Sequence, residues 1–191
     1  MPTVIFAGAT GSGKTQTFCE LQKLKANANI KIKFFPEIAT ELLKTEPSEF
    51  CNDKDKFQTR IAQLQLAQLN DEACRKSDVI ITDRGLPDFY VFHEDGAKKF
   101  FTSEFEAFSY YDYVFFFQPF ALDDVLQGNA LRKETSLSEI ADIAQKTETV
   151  YNRYPNRETM IMIPNFPTIE EKAIYCAKML NKVLNDTIFL I

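Results

Sequence analysis

The sequence contains no tryptophan and a single histidine, His93, and its four cysteines (Cys19, Cys51, Cys74, Cys176) lie far apart with no Cys-x-x-Cys pair. That pattern argues against a cysteine and histidine metal cluster and against a disulfide scaffold. No charged-then-apolar segment opens the sequence, and its apolar runs are short, such as Tyr113 to Phe117, far below the ~20 residues of a membrane-spanning helix. The expectation is a soluble, reducing, cytoplasmic setting with no membrane association. Basic charge is not in excess either: 22 Lys and Arg face 27 Asp and Glu, a formal net charge of -5. Duplex-binding proteins usually carry a strong basic excess, so tight nucleic-acid binding is disfavoured. Repeats, linkers and low-complexity tracts are absent, and 191 residues of which 45% are hydrophobic predict one domain, residues 1–191, with a sizeable core.

What is present is an alternation of strand and helix patterns. Thr3 to Ala7 is a short apolar run that ends at glycine, and Lys14 to Lys25 then places Phe18, Leu21 and Leu24 at helical spacing. Ile30 to Phe35 predicts a second strand, Pro36 the opening of a helix, and Asp55 to Lys76 a long helix ended by Ser77 and Asp78. Val79 to Thr82 and Tyr113 to Phe117 are apolar without alternation, as expected of central parallel strands covered on both faces. Met160 to Ile163 reads as a last strand, and Thr168 with Glu171 forms a capping-box pattern before a helix that runs to about Leu184. The fold class is therefore α/β, an open parallel sheet flanked by helices. The apolar end, Thr187 to Ile191, is either an extra strand or a contact with another chain, which leaves a homodimer open.

The strongest motif is Gly8-Ala9-Thr10-Gly11-Ser12-Gly13-Lys14-Thr15, which matches Gly-x-x-x-x-Gly-Lys-[Ser/Thr] between a predicted strand and a predicted helix. Glycines let successive backbone N–H groups turn inward around phosphate oxygens, at a helix N-terminus whose dipole favours anions. Lys14 then reaches the outer phosphates, and the Thr15 hydroxyl meets the magnesium ion that bridges them. The bland alternative is a glycine-rich turn. The Asn-Lys-x-Asp signature of switch GTPases is missing, because the only Asn-Lys, at Asn181, continues into Val183 and Leu184. Instead of the Asp-Glu that usually ends the second-acid strand of motor-like ATPases, Asp83 is followed by Arg84. In a small-molecule kinase such a pair would organise the metal and steady the transferring group; otherwise it is a strand-end ion pair.

These motifs resemble a P-loop ATPase and kinase group that includes the ribosylnicotinamide kinase domain of the bacterial NAD regulator, and more distantly the deoxynucleoside and thymidylate kinases. The resemblance rests on the phosphate loop, on Phe35-Pro36-Glu37-Ile38-Ala39-Thr40-Glu41-Leu42-Leu43, and on Ile81-Thr82-Asp83-Arg84-Gly85-Leu86-Pro87-Asp88. It continues through Tyr111 to Phe115 and Gly128 to Arg132, although Gln127-Gly128-Asn129-Ala130-Leu131-Arg132 lacks the usual Asp-Gly step. It implies a five-stranded parallel sheet of the nucleoside monophosphate kinase type, with a lid-like segment around residues 120–135.

On the acceptor side, Glu37 follows the second strand directly. It is either the acceptor's base or an acid favoured by the dipole in a helix first turn. The resemblance, which places an acid here in nucleoside kinases, supports the first role, with Glu41 a weaker candidate. Phe89, Tyr90 and Phe92 either stack a planar ring or pack in the core. His93 shows no partner in the sequence and reads as a surface or core histidine. Arg132 and Lys133 fall in the lid-like segment, and Arg153 and Arg157 are further candidate phosphate contacts. The expected function is magnesium-dependent transfer of the ATP γ-phosphoryl group to a hydroxyl or phosphate of a nucleoside-like small molecule, using Lys14, Glu37, Asp83, Arg84 and Arg132. A regulatory ATPase without a small acceptor and a kinase acting on nucleic-acid ends or modified bases are the rivals.

Overall fold

The computed structural model describes residues 1–119 and 137–191, so Arg132, Lys133 and the lid-like stretch at 120–135 lie outside the described residues. Its strands are β1 (Thr3–Gly8), β2 (Ile32–Phe35), β3 (Val79–Asp83), β4 (Tyr113–Phe117) and β5 (Met160–Ile163). They form a five-stranded sheet in the order β2-β3-β1-β4-β5, every pair parallel. Helices α1 (Lys14–Lys23), α2 (Ile38–Thr45), α3 (Ser48–Asn52), α4 (Lys54–Asn70) and α5 (Glu72–Arg75) precede β3. Helices α6 (Asp88–Phe92), α7 (Glu94–Phe100) and α8 (Glu104–Phe108) follow it, and α9 (Leu137–Tyr151) and α10 (Ile169–Val183) flank β5.

Side chains of a strand alternate between its faces, so a strand covered on both sides must be apolar at every position. In β1, Val4 and Phe6 pack with Phe18 and Leu21 of α1 and with Cys176 and Leu180 of α10. Ile5 and Ala7 face the opposite layer, with Leu86, Phe89 of α6, Phe108 of α8 and Tyr151 of α9. The central strand is thus sandwiched between two apolar layers. A third cluster, Ile38, Leu42, Cys51 and Phe57, ties α2, α3 and α4 together beside the sheet.

Several boundaries differ from the sequence reading. The ladder of β2 begins at Ile32, opposite Val79; Lys31 instead donates its N–H to the Asp78 carboxylate. Pro36 does not open the helix: Glu37 is extended, with φ -63 and ψ 113, and α2 starts at Ile38. The long helix stops at Asn70 because Asp71 turns extended, and the short α5 follows. Thr168 does cap α10, accepting the Glu171 N–H at 3.1 Å. The apolar end is not an added strand. It makes one antiparallel bridge, Ala26 to Phe189, and the Asn181 side chain of α10 holds the backbone of Ile188 and Phe189. None of the described helices is long and apolar enough to cross a membrane.

Candidate active site

β1 delivers the chain to the phosphate loop through Gly8, whose φ is +135 and whose hypothetical Cβ would lie 2.4 Å from the Phe117 carbonyl oxygen. Only glycine permits that approach to β4. Gly13, left-handed at φ 82, then turns the chain into α1. Thr10, Gly11, Gly13, Lys14 and Thr15 face a cavity of about 840 Å³, while Gly8, Ala9 and the fully buried Ser12 form the loop's back wall. Lys14 is buried, and its ammonium donates to the carbonyls of Gly8 at 2.8 Å and Ala9 at 2.6 Å and to the Ser12 hydroxyl at 3.1 Å.

Across from the loop, β3 ends in Asp83, paired in register with Phe6. The next residue, Arg84, is left-handed at φ 69 while its N–H still donates to the Phe6 carbonyl at 3.0 Å. A non-glycine residue in this region carries a cost of order 1–3 kcal/mol, and such residues gather at functional sites. Arg84 Nε donates to Glu37 Oε1 at 2.5 Å, and its guanidinium covers the Phe92 ring at 5.1 Å. Glu37 Oε2 accepts from the Thr40 hydroxyl at 2.7 Å. Gly85 packs where a Cβ would meet the Tyr111 hydroxyl and Ile5 at 2.4 Å, and its N–H donates to Asp88 Oδ2 at 3.0 Å. The Asp-Arg-Gly-Leu-Pro-Asp string is therefore one turn, in which Asp88 at the head of α6 folds back on its own beginning. The alternative of a strand-end ion pair between Asp83 and Arg84 is not what forms among the described residues; Arg84 pairs with Glu37 and lies 3.9 Å from Asp88.

The loop after β1 and the turn after β3 meet where the chain crosses in opposite directions, since β1 leads toward β2 on one side and β3 toward β4 on the other. Ligands of open α/β sheets bind at such switch points, beyond the carboxyl ends of the strands. Burial sets the direction of titration for three of the groups gathered there, Lys14, Asp83 and Asp88, and neighbouring charges set it for Glu37 and Arg84. Burial, aided by Arg84, pushes Lys14 down to about 7 against the pull of Asp83, Asp88 and Glu37. Burial and the Glu37 charge raise Asp83 to about 6, partly offset by the nearby Thr15 hydroxyl, Lys14 and Arg84. Thr15 comes close without completing a hydrogen bond, so both Asp83 oxygens are buried and unpartnered. Burial also raises Asp88 against the influence of Arg84. For Glu37, burial is outweighed by Arg84, Thr40 and Lys14, and its carboxyl is held below the usual range. Arg84, despite its burial, is held firmly charged by Glu37, Asp88 and Asp83.

Among the described residues no group of three or more His, Cys, Asp or Glu side chains forms a ready cation cage. Magnesium does not require one, since it binds through phosphate oxygens, water and one or two protein oxygens. The Thr15 hydroxyl beside the two unpartnered Asp83 oxygens fits that donor set.

Other sequence candidates separate. Tyr90 is a core residue, whereas Phe89, though buried in the core, also lines the cavity beside the half-buried Phe92. His93 does have an acid partner: its Nε2 lies 2.7 Å from Asp55 Oδ1, joining the α6–α7 junction to α4. Arg153 pairs with Glu104 at 2.6 Å and Arg157 bonds the Asn152 carbonyl; neither lines the cavity. The structure adds Thr40, which holds Glu37, and Gln65, a buried amide on the cavity wall. It also adds Lys172, which reaches the Ser12 carbonyl. Lys172 had a sequence signal, being a charge set in the apolar stripe of Ala173, Cys176, Ala177 and Leu180.

A phosphate loop at the switch point of a five-stranded parallel sheet, faced by an acid and arginine turn, defines a P-loop NTPase of nucleoside-kinase-like architecture. Residues 3–172 match the AAA domain family, and the chain belongs to it. No curated protein matches the chain. Among solved structures it is similar to deoxyadenosine kinase from M. mycoides with the products dCMP and a flexible dCDP bound, at TM-score 0.65 and 13% identity, over 94% of this chain and 99% of that one. The same enzyme with bound dATP superposes at TM-score 0.61 and 14% identity, over 94% and 99% of the two chains. At this identity the likeness shows the fold. The narrower likeness to a ribosylnicotinamide kinase domain stays a resemblance of sequence motifs.

Proposed function

We propose that this protein transfers the γ-phosphoryl group of ATP to a hydroxyl or phosphate of a nucleoside-like small molecule. The observation that carries the reading is the meeting of Lys14, Arg84 and Glu37 at one cavity, with the buried Asp83 close behind them and with an apolar part of the wall that includes Ile38, Phe57, Ile61 and Phe92. A charged end suits a triphosphate, and an apolar wall with the Gln65 amide suits a planar ring. A neighbour in fold, the deoxyadenosine kinase, holds deoxynucleotides.

Phosphoryl transfer passes through a loose transition state, so catalysis is mainly positioning and charge stabilisation. Backbone N–H groups of Gly11 and Gly13 would hold phosphate oxygens, and Lys14 would turn from the loop carbonyls toward the β- and γ-phosphates. Thr15 and Asp83 would hold magnesium, whose charge would offset that of the triphosphate. Arg84, kept charged by three carboxylates, would face the transferring group. Glu37 is ionised and each of its oxygens keeps a lone pair beyond its present bond. Its lowered pKa makes it a weak base, suited to orient an acceptor hydroxyl and to take its proton late, once bonding to phosphorus has made that hydroxyl acidic. The test is incubation with ATP, magnesium and a panel of nucleosides, nucleotides and oligonucleotides, read by product mass. Gain of one phosphoryl group on a small member of the panel supports the reading, and phosphorylated oligonucleotides alone would replace it with the nucleic-acid rival.

A further inference from the structure

Lys172 of α10 is fully buried, which is rare for a lysine. Its ammonium donates to the Ser12 carbonyl and to Asn165 Oδ1, each at 3.2 Å, and lies 5.9 Å from the centre of the Phe117 ring. Asn165 donates in turn to the Pro119 carbonyl at 2.9 Å. One buried amine thus connects the phosphate loop, the exit of β4 and the approach to α10. Removing an ammonium from water is costly, and a methionine would fill the same space beside Phe117 and Cys176 without that cost. Packing does not account for a lysine here. What the lysine supplies, and a methionine would not, is a donor aimed at the back of the loop.

The Ser12 carbonyl shares a peptide plane with the Gly13 N–H. The peptide is trans, so the two groups point in opposite directions. Lys172 holds the oxygen on the α10 side, while Gly11 and Gly13 line the cavity on the other. Gly11 and Gly13 flank Ser12 with φ of 79 and 82, and glycines rotate at little steric cost. A peptide among glycines needs an external hold to keep one orientation. We infer that Lys172 is a positioning residue of the phosphate loop, pinning the Ser12 carbonyl from behind so that the Gly13 N–H faces the nucleotide's phosphates.

This inference rests on the phosphate-binding reading of the loop, and the experiment separates the two. ATP and inorganic tripolyphosphate affinities are measured by calorimetry, with thermal midpoints, in the parent, Lys172→Met and Asn165→Ala. Lys172→Met is expected to keep a midpoint close to the parent's, because the Ser12 carbonyl and the Asn165 amide left behind are neutral and the buried charge is gone. Its ATP affinity should fall about tenfold or more, as for a lost bond to a charged group, with the same loss for tripolyphosphate. Asn165→Ala, an exposed change, should fall in the same direction by a smaller factor at an unchanged midpoint. Parent-like affinity in folded Lys172→Met overturns the inference. Should Lys172→Met fail to fold, Asn165→Ala decides, and its parent-like affinity overturns the inference. A parent that binds neither ATP nor tripolyphosphate overturns the loop reading, and this inference with it.

Discussion

Lys14 illustrates how single residues here are set by burial against charge. An unperturbed lysine titrates near 10.5, whereas in the fold Lys14 is lowered to about 7, chiefly by burial and then by Arg84. Between those values the folded chain binds fewer protons than the unfolded one, so this group's contribution to stability rises with pH across that window. A nearby anion favours the charged form, so triphosphate binding about one pH unit above the folded value should draw a proton onto Lys14. Calorimetry in buffers of different ionisation enthalpy should show net uptake that vanishes in Lys14→Ala, and buffer-independent heats would contradict this. Lys14→Ala should also lower ATP turnover by about 10²-fold or more while keeping the fold. Asp83→Asn should weaken magnesium-dependent turnover more than magnesium-free nucleotide binding, because the lost charge acts through the ion. Equal losses would mark a structural aspartate. Lys14, Thr15, Asp83 and Arg84 were legible in the sequence because each sits at a fixed offset from a strand end. The partners of Glu37 and His93 were not, since Arg84 and Asp55 reach them across 47 and 38 residues of chain.

At the scale of elements, the strands were the most legible feature. β1, β3 and β4 are apolar on both faces, and in an alternating chain that pattern marks a central strand with helices on either side. Helix starts were less so, because Pro36 stays outside the helix and Glu37 is extended, where a proline is otherwise well suited to open a helix. The helices between β3 and β4 are only five to seven residues long, one to two turns and too short to establish a repeating pattern, and most of their Phe side chains pack as core. The junction of β1 with the loop offers a sharp test. Gly8→Ala would place a Cβ against the Phe117 carbonyl in a backbone conformation that L residues rarely adopt. We expect a loss of about 2–4 kcal/mol in unfolding free energy together with weakened nucleotide binding. A stable variant with parent-like affinity would show that β4 does not constrain the loop.

For the whole molecule, the open parallel sheet followed from strand and helix alternation, but the order β2-β3-β1-β4-β5 did not, because parallel pairing between distant strands leaves no local mark. That order is what creates the switch point and brings Glu37 of the β2 edge to Arg84 of the β3 edge. The central claim is that these groups direct a phosphoryl group to an acceptor instead of to water. Its most direct test follows isotopic label from the γ-phosphate of ATP into acceptor and into inorganic phosphate, in the parent and in Glu37→Gln. The variant keeps size and polarity but loses the carboxylate proposed to receive the acceptor's proton. The account predicts labelled acceptor in the parent and about 10²- to 10⁴-fold less in Glu37→Gln, with nucleotide affinity and background hydrolysis retained. Label appearing in the parent only as inorganic phosphate, whatever acceptor is supplied, would contradict it and favour a regulatory ATPase.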